Sequence, residues 1–231
     1  MNKLLFLRSL MDAMESEMAD LGFKKSFSRQ KFIKEKDENF IVAYSLSVLQ
    51  QFNLKLNKSG IVIEPALYIH NYPVESIYSK ITIRQLNNVQ DLKTIGNLLA
   101  AIIANPTGEY KIYNQSLNLY NYDESDMLNS SATLINYFKK VALPYFENNA
   151  TWAGLDSIFN ANLDIPSVHC NNESERSIRG LIVAKLIDRP DFDKLLNIHE
   201  KKIMELGNNN TRLEFDRLCS MLPSIGKLKI V

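Results

Sequence analysis

The chain has 231 residues, of which 45% are hydrophobic and 23% charged, as is typical of a soluble globular protein. Its 27 basic and 26 acidic residues give a formal net charge of +1, which argues against capture of nucleic acid or an anionic membrane by overall charge. Two cysteines are too few for a disulfide framework, and the apolar run at residues 4–7 is too short for a secretory signal. We therefore expect a cytoplasmic protein that does not associate with membranes.

The first predicted element is an amphipathic helix over residues 2–20, which ends near Leu21 and Gly22. Five apolar residues recur on it at helical spacing: Leu4, Leu7, Met11, Met14 and Met18. Such a stripe is typical of a helix that packs on a sheet, and a methionine-lined binding groove is the alternative.

A basic segment follows at residues 24–36, where six basic residues accompany one acid, Glu35, and phenylalanines are interleaved. One interpretation is a first strand with a charged solvent face, because lysines discourage edge pairing. The other is a surface for single-stranded nucleic acid, which combines phosphate contacts with base stacking. Its candidate binding residues are Lys24, Lys25, Arg29 and Lys31.

Residues 40–69 alternate between apolar and polar side chains, a pattern that predicts strands with one face in a core. The inward positions are Phe40, Val42, Tyr44, Leu46, Val48, Phe52, Leu54, Leu56, Ile61, Ile63, Leu67 and Ile69. Turn signals at 37–39 and 58–60 divide the segment, and Pro65 indicates a bulge or an edge position. A further strand is predicted over residues 77–86.

The rest of the chain is predicted to be mostly helical. A helix is expected at 91–104, a weak strand at 109–120, and helix from about residue 125, with a kink or an end at Pro144 and a cap at Thr151. A linker at 161–172 precedes three helices. They are a helix at 173–187, a helix that begins at Arg189-Pro190 and ends at Gly207, and a helix opened by a Thr211–Glu214 capping box.

No familiar nucleotide-binding, metal-binding or nucleophile motif occurs in the sequence, so no cofactor, metal site or catalytic residue is predicted. We expect His70 to be solvated at a sheet rim and His199 to pack on its helix. His169 and Cys170 are adjacent, and adjacent side chains usually point apart, which disfavours a catalytic dyad.

Short motifs of the chain resemble those of an uncharacterised bacterial family classed as a domain of unknown function. They are Gly22-Phe23-Lys24-Lys25 after the first helix, the aromatic-basic Phe27-Ser28-Arg29, the meander, and a helix end at Leu143-Pro144-Tyr145-Phe146. The resemblance covers roughly residues 1–160. It implies a bacterial protein and agrees with the fold predicted from the residues, and it identifies no catalytic residues.

Together these patterns predict an α+β protein: an N-terminal helix, a mostly antiparallel sheet covered by helices, and a small C-terminal helical lobe. Residues 1–160 would form the α+β domain and 161–231 the lobe packed on it, or the whole chain one domain. The leading hypothesis is a non-enzymatic protein-binding protein of the immunity or accessory type. Its candidate anchors are exposed tyrosines, because tyrosines often anchor interfaces: Tyr110, Tyr113, Tyr120 and Tyr122.

Two alternatives remain open. One is the nucleic-acid module built on residues 23–36. The other is an enzyme or small-ligand binder with a pocket between the sheet and the C-terminal helices, near His169 and His199.

Overall fold

A single antiparallel sheet forms the centre of this α+β protein in a computed structural model, which describes residues 3–85, 92–111, 118–170 and 172–226. The strands pair in the order β1-β2-β3-β4-β5, and β6 pairs with β4 beside β5. Their bounds are β1 (Lys24–Ser26), β2 (Lys31–Glu35), β3 (Phe40–Asn53), β4 (Lys58–Asn71), β5 (Ile95–Leu98) and β6 (Leu119–Asn121). The fold class expected from the sequence is thereby confirmed.

The long hairpin of β3 and β4 dominates the sheet, with a continuous register from Phe40 opposite Asn71 to Asn53 opposite Lys58. Pro65 lies between the part of β4 that pairs with β6 and the part that pairs with β5, where its missing N–H is least costly. The prediction of a turn at residues 58–60 is wrong, because the chain reverses at residues 54–57.

At the tip of this hairpin, three residues that were predicted to be buried are exposed. The alternating pattern was expected to keep Phe52, Leu54 and Leu56 inward, but their exposed fractions are 54%, 85% and 61%. The chain reverses at residues 54–57, and the side chains of this turn are exposed, so the alternating pattern does not continue into the core there. Leu4 on the first helix is also exposed, although the rest of its predicted stripe is buried.

Helices surround the sheet and complete the core. Their bounds are α1 (Lys3–Asp20), α2 (Tyr72–Ile81), α3 (Leu99–Ala104), α4 (Glu124–Tyr137), α5 (Leu143–Asn149), α6 (Trp152–Asn160), α7 (Glu173–Leu186), α8 (Phe192–Leu206) and α9 (Asn209–Met221). A π-helical turn at Phe138–Ala142 joins α4 to α5, in which Pro144 is the second residue. Thr151 caps α6 by accepting a hydrogen bond from the Gly154 amide, as expected.

Three predicted elements differ from the structure. Within the strand expected at 77–86, residues 77–81 form the second half of α2, because Asn71 caps a helix whose residues Val74, Tyr78 and Ile81 are buried at helical spacing. Residue 86 lies outside the described residues. The helix expected at 91–104 begins only at Leu99, since residues 95–98 pair with β4 as β5, and residue 91 lies outside the described residues. The basic segment 24–36 forms two short strands rather than one.

The last three helices lie close to their predicted positions. Gly207 ends α8 in the left-handed conformation (φ 63°), where a side chain would be strained. Asn208 caps α9 by accepting hydrogen bonds from the amides of Asn210 and Thr211, so the predicted Thr211 capping box is wrong. Buried residues of α7, α8 and α9 belong to the same apolar cluster as those of α1 and the sheet.

The packed face of the sheet meets α1 and α4. Phe32, Tyr44, Leu46 and Leu67 are completely buried on this face, and the Tyr44 hydroxyl donates a 3.4 Å hydrogen bond to the Leu134 carbonyl of α4. The alternate residues of the same strands point to the opposite face, which is only partly covered.

Candidate functional site

A cleft of about 600 Å³ lies between this second face of the sheet and α7. Its floor consists of cross-strand neighbours from β2, β3 and β4, such as Ile33, Ala43 and Tyr68, which share one row of the register. One wall comes from the residues that precede and begin β5, and the other from α7 and the loop before it. Its volume is within the range of small-molecule sites.

The charged side chains of the cleft are strongly unbalanced. Six lining residues are basic: Arg29, Lys31, Arg84, Lys93, Arg176 and Arg179. Only one described lining residue, Glu175, is acidic. Because the whole chain is almost neutral, this excess of positive charge is local to the cleft.

Tyr68 is the centre of the positive floor. The ammonium group of Lys31 lies 5.2 Å from the centroid of its ring, and that of Lys93 lies 5.3 Å from the same centroid. Both are cation–π distances, so one aromatic ring attracts two like charges. Burial lowers the pKa of Lys93 and raises the pKa of Tyr68.

Hydrogen bonds on both sides of Lys93 hold it in place. The Leu92 carbonyl accepts a 2.7 Å hydrogen bond from His70 Nδ1, which carries the proton because a carbonyl oxygen can only accept. On the other side, the Thr94 amide donates to the Ile69 carbonyl at 2.9 Å, and Thr94 Oγ1 accepts from the Asn71 amide at 2.8 Å. Lys93 is therefore fixed to β4 by its two neighbours.

His70 is a buried side chain rather than the solvated rim histidine that was expected. It is only 6% exposed, and it contacts the ring of Tyr72 edge-on at 4.7 Å. Its Nε2 atom has no hydrogen-bond partner among the described residues. The burial follows from the segment 92–94, which covers the end of β4.

Gly96 of β5 allows this strand to lie close to β4, and its amide also binds the loop before α7. It lies opposite Tyr68 with φ 145°, and a Cβ there would come within 2.9 Å of the Tyr68 ring. The Gly96 amide donates a 2.9 Å hydrogen bond to the His169 carbonyl, and the Asn97 side chain donates to the Val168 carbonyl at 2.8 Å. These bonds place His169 and Cys170 at the cleft.

Ion pairs build the α7 wall. Arg179 donates two hydrogen bonds to the fully buried Glu75 of α2, at 2.8 and 3.0 Å, and a third to Glu175 at 2.6 Å. Burial opposes the charge of Arg179, but Glu75 outweighs it and the pKa of Arg179 is raised. Arg84 pairs with the other oxygen of Glu175 at 2.6 Å. The single acid of the cleft is thus already shared by two arginines.

Arg176 has a structural role at the same wall. Its guanidinium donates to the carbonyls of Ile165 and Asn162, each at 2.7 Å, and also pairs with Glu173. It thereby ties the loop at residues 161–172 to α7.

His169 and Cys170 lie at the cleft but do not form a nucleophile and base. His169 Nδ1 is 3.2 Å from the Tyr145 hydroxyl, and burial, with a smaller effect of Arg176, lowers its pKa to about 4. Burial raises the pKa of Cys170 to about 12, against the smaller effects of Arg176 and Arg179. The thiol therefore stays protonated at neutral pH, whereas a nucleophilic cysteine requires the thiolate.

The candidate His199 is not part of the cleft. It is completely buried on α8, where Nε2 lies 2.9 Å from Asn160 Oδ1. Burial, followed by Lys202 and Arg176, lowers its pKa to about 4. His169 and His199 thus occupy separate packed environments, which removes the basis for a joint catalytic role.

The basic candidates of residues 24–36 are divided between different surroundings. Lys24 is exposed, and Lys25 forms ion pairs with Asp12 and Glu15 of α1. Lys34 and Lys36 donate to the carbonyls of Leu21 and Ala150 at 3.1 and 2.8 Å. Of the four proposed binding residues, only Arg29 and Lys31 reach the cleft.

The candidate tyrosines are dispersed. Tyr110 and Tyr120 are 43% and 42% exposed, whereas Tyr122 is only partly exposed, with the ammonium group of Lys58 4.5 Å from its ring centroid. Tyr113 lies outside the described residues. The protein-binding hypothesis, which these tyrosines motivated, stays a prediction.

Sequence reasoning missed several residues of the cleft, namely Tyr68, Arg84, Lys93, Arg176 and Arg179. The sequence contained one signal for Tyr68. It alternates with the inward residues Leu67 and Ile69 of β4, so it faces the same side of the sheet as His70. No signal marked the others, since they meet only through the contacts of α2, α7 and β5 with the sheet.

No protein-family model, curated protein or solved structure matches this chain, so the resemblance to a domain of unknown function stays a prediction. None of the described helices is both long and apolar enough to cross a membrane. Within the described ranges, no three histidine, cysteine, aspartate or glutamate side chains are grouped so that they could hold a metal ion.

Proposed function

We propose that this protein binds a small anionic organic molecule in the cleft between the sheet and α7. The observation that supports it most strongly is the charge of the lining, six basic side chains against one carboxylate that two arginines already share. A cavity lined by one sign of charge concentrates ligands of the opposite sign.

Two of the six cations are available for a ligand. In the part of the chain that the structure describes, Arg29 and Lys93 have no carboxylate within ion-pair distance. Burial already disfavours the charge of Lys93, and a bound anion would offset that cost. The floor beside them is apolar, with Ile33, Ile41 and Ala43, which suits a ligand with an organic body.

The size of the cleft favours a small molecule over a polymer. A volume of about 600 Å³ accommodates a single drug-sized ligand. A single-stranded nucleic acid would need a basic track of several nucleotides, and the pairing of Lys25, Lys34 and Lys36 with other groups interrupts such a track. The pKa values of Cys170 and His169 support binding rather than nucleophilic catalysis.

Isothermal titration calorimetry at low salt tests the proposal with three probes of similar size: phenyl phosphate, benzoate and neutral phenol. We expect both anions to bind and phenol to bind at least about tenfold more weakly, because a charge-assisted hydrogen bond contributes about 1.5–3 kcal/mol. The double variant R29Q/K93M should lose about tenfold or more in anion affinity.

Lys24→Met is the matched control, since it removes an exposed lysine of the same basic segment outside the cleft. It should leave anion affinity unchanged. The proposal is wrong if neither anion binds, or if R29Q/K93M and K24M weaken binding equally. A 12-nucleotide single strand that binds tightly and displaces benzoate would instead support the nucleic-acid hypothesis.

A further inference from the structure

We infer that the ligand is an elongated dicarboxylate, with one carboxylate bound at Arg29 and the other at Lys93, at opposite ends of the cleft. This inference rests on the proposed function and specifies its ligand class, namely how many anionic groups the ligand carries and how they are arranged.

The strand register places the two cations at opposite ends of the cleft floor. Ile33 of β2 and Gly96 of β5 both lie in the row of Tyr68, through the pairing of β2 with β3, β3 with β4 and β4 with β5. All three pairings are antiparallel, so β2 runs in the same direction as β4, and β5 runs in the opposite direction. Arg29 precedes Ile33 and Lys93 precedes Gly96 along the chain. The two cations therefore lie on opposite sides of the Tyr68 row.

Each end offers one cation that has no described carboxylate within ion-pair distance. Arg29 belongs to the turn before β2 and is exposed at the rim, and its guanidinium is a planar fork that matches a carboxylate. Lys93 is half-buried, with its ammonium group 5.3 Å from the ring centroid of Tyr68. By contrast, Arg176 and Arg179 of the wall are held by carboxylates and main-chain carbonyls.

The number of available cations favours two anionic groups on one ligand. A ligand with a single carboxylate neutralises one cation and leaves the other without a counter-ion. A dicarboxylate that reaches both ends neutralises both, and it offsets the cost of burying the ammonium group of Lys93.

The floor between the two cations is mostly apolar. Ile33, Ala43 and Ile41 line it beside the ring of Tyr68. Lys31 is the one charged side chain that the described parts of β2, β3 and β4 contribute to the cleft, and its ammonium group lies 5.2 Å from the centroid of that ring. An apolar strip between two cations fits a hydrocarbon body between two carboxylates, and a cleft of about 600 Å³ accommodates a molecule of that kind.

Calorimetry at neutral pH and low salt tests the inference with suberate, its monomethyl ester and succinate. Suberate and its ester have similar bodies, but the ester carries one negative charge instead of two. We expect suberate to bind about tenfold more tightly than the ester, because a second charge-assisted hydrogen bond forms. Succinate is too short to reach both ends and should bind no more tightly than the ester.

Single variants separate the two ends. Arg29→Gln and Lys93→Met should each weaken suberate binding by about tenfold, so that suberate and its ester bind with similar affinity. The ester can use the cation that remains, so each single variant should weaken its binding by less than about threefold. Lys24→Met, which removes an exposed lysine outside the cleft, should change neither affinity. Thermal unfolding of each variant establishes that it folds.

Equal affinity of the wild type for suberate and its ester would overturn the inference, because the second carboxylate would then have no partner. Succinate that binds as tightly as suberate would also overturn it, since the two cations would then not act at opposite ends. Either result leaves the proposed function intact, because an anion still binds. Absence of binding by all three probes, and by the anions named above, would overturn both.

Discussion

The two faces of the central sheet are made from alternate residues of the same strands, yet they differ completely. On β3, Val42, Tyr44 and Leu46 are buried against α1 and α4, while Ile41 and Ala43 line the cleft. The packed face carries large apolar side chains. The cleft face combines apolar side chains such as Ile33 and Ile41 with polar and charged ones such as Tyr68 and Lys31, and it is only partly covered by helices.

The difference shows that two kinds of interaction hold the two sides of the molecule. Apolar burial and close packing stabilise the packed face. The cleft wall depends on ion pairs and on hydrogen bonds to histidines, whose strength varies with pH and with the loss of a single partner. Substitutions that act on one face only would separate these contributions.

The largest effect is expected at the packed face. Phe32 is completely buried there, between the cleft residues Lys31 and Ile33 on β2. Phe32→Ala should lower the free energy of unfolding by about 3–5 kcal/mol, because it removes a buried ring and leaves a cavity. Urea denaturation measures the loss. The folded fraction should keep its anion affinity, and a much weaker affinity would mean that the two faces are not independent.

The cleft wall should respond to the loss of one charge. Glu75→Gln preserves the shape of the side chain but leaves Arg179 with only Glu175 as a charged partner. We expect a destabilisation of about 3 kcal/mol, since a buried cation then lacks full compensation. Thermal and urea unfolding would check it, with Glu15→Gln as a surface control whose effect should stay below about 1 kcal/mol. A loss no larger than that of the control would contradict the role assigned to this pair.

Acid should destabilise the protein through His199, which lies outside the cleft but supports α7 through Asn160. His199 contacts Asn160, whose side chain also donates to the Gly180 carbonyl of α7 at 3.1 Å. Its pKa is about 4 in the folded protein and ordinarily about 6.5, so the unfolded chain takes up the proton first as the pH falls. Stability should therefore decrease between about pH 6.5 and pH 4, by about 2–3 kcal/mol from this residue.

His169 shifts in the same direction and adds to that decrease. His199→Gln cannot titrate and retains a donor for Asn160, so its stability should depend less on pH than that of the wild type. Urea unfolding at pH 7 and pH 4.5 gives the comparison. Identical pH dependence in the two proteins would show that His199 is not responsible.

The smallest effect is expected at the tip of the β3–β4 hairpin, which belongs to neither face. Leu54 is 85% exposed, so Leu54→Ser should change the free energy of unfolding by no more than about 0.5 kcal/mol. Leu46→Ser, at a fully buried position of the adjoining strand β3, is the contrasting variant and should be strongly destabilising. A large decrease in the free energy of unfolding of L54S would mean that the Leu54 side chain is packed in solution rather than exposed.

Much of the fold was predictable because local patterns determine local structure. The stripe of α1, the alternation of β3 and β4, the Thr151 cap and the Gly207 stop all depend on residues a few positions apart. The segments 77–86 and 95–98 were assigned wrongly, because both contain mixed apolar patterns that suit either a helix or a strand. The Asn71 cap decided the first, and pairing with β4 decided the second.

The site was predictable only in part. Arg29, Lys31 and His169 were candidates, and all three line the cleft, but the reasons for choosing them concerned nucleic acid and catalysis. Lys24 and Lys25 belong to the same basic run and lie elsewhere, because β1 turns toward α1. Charge density along the sequence did not reveal which side chains share a surface.

The sequence by itself determined the α+β class, the long hairpin, the packed face and the positions of the C-terminal helices, since periodicity and capping are short-range properties. Only the tertiary structure decided that Lys31 and Lys93 each lie within cation–π distance of Tyr68 and that Glu75 lies beside Arg179, 104 residues away along the chain. These contacts depend on how β5, α2 and α7 pack on the sheet. Tertiary packing brings together residues that are distant along the chain, and the cleft is lined by such residues.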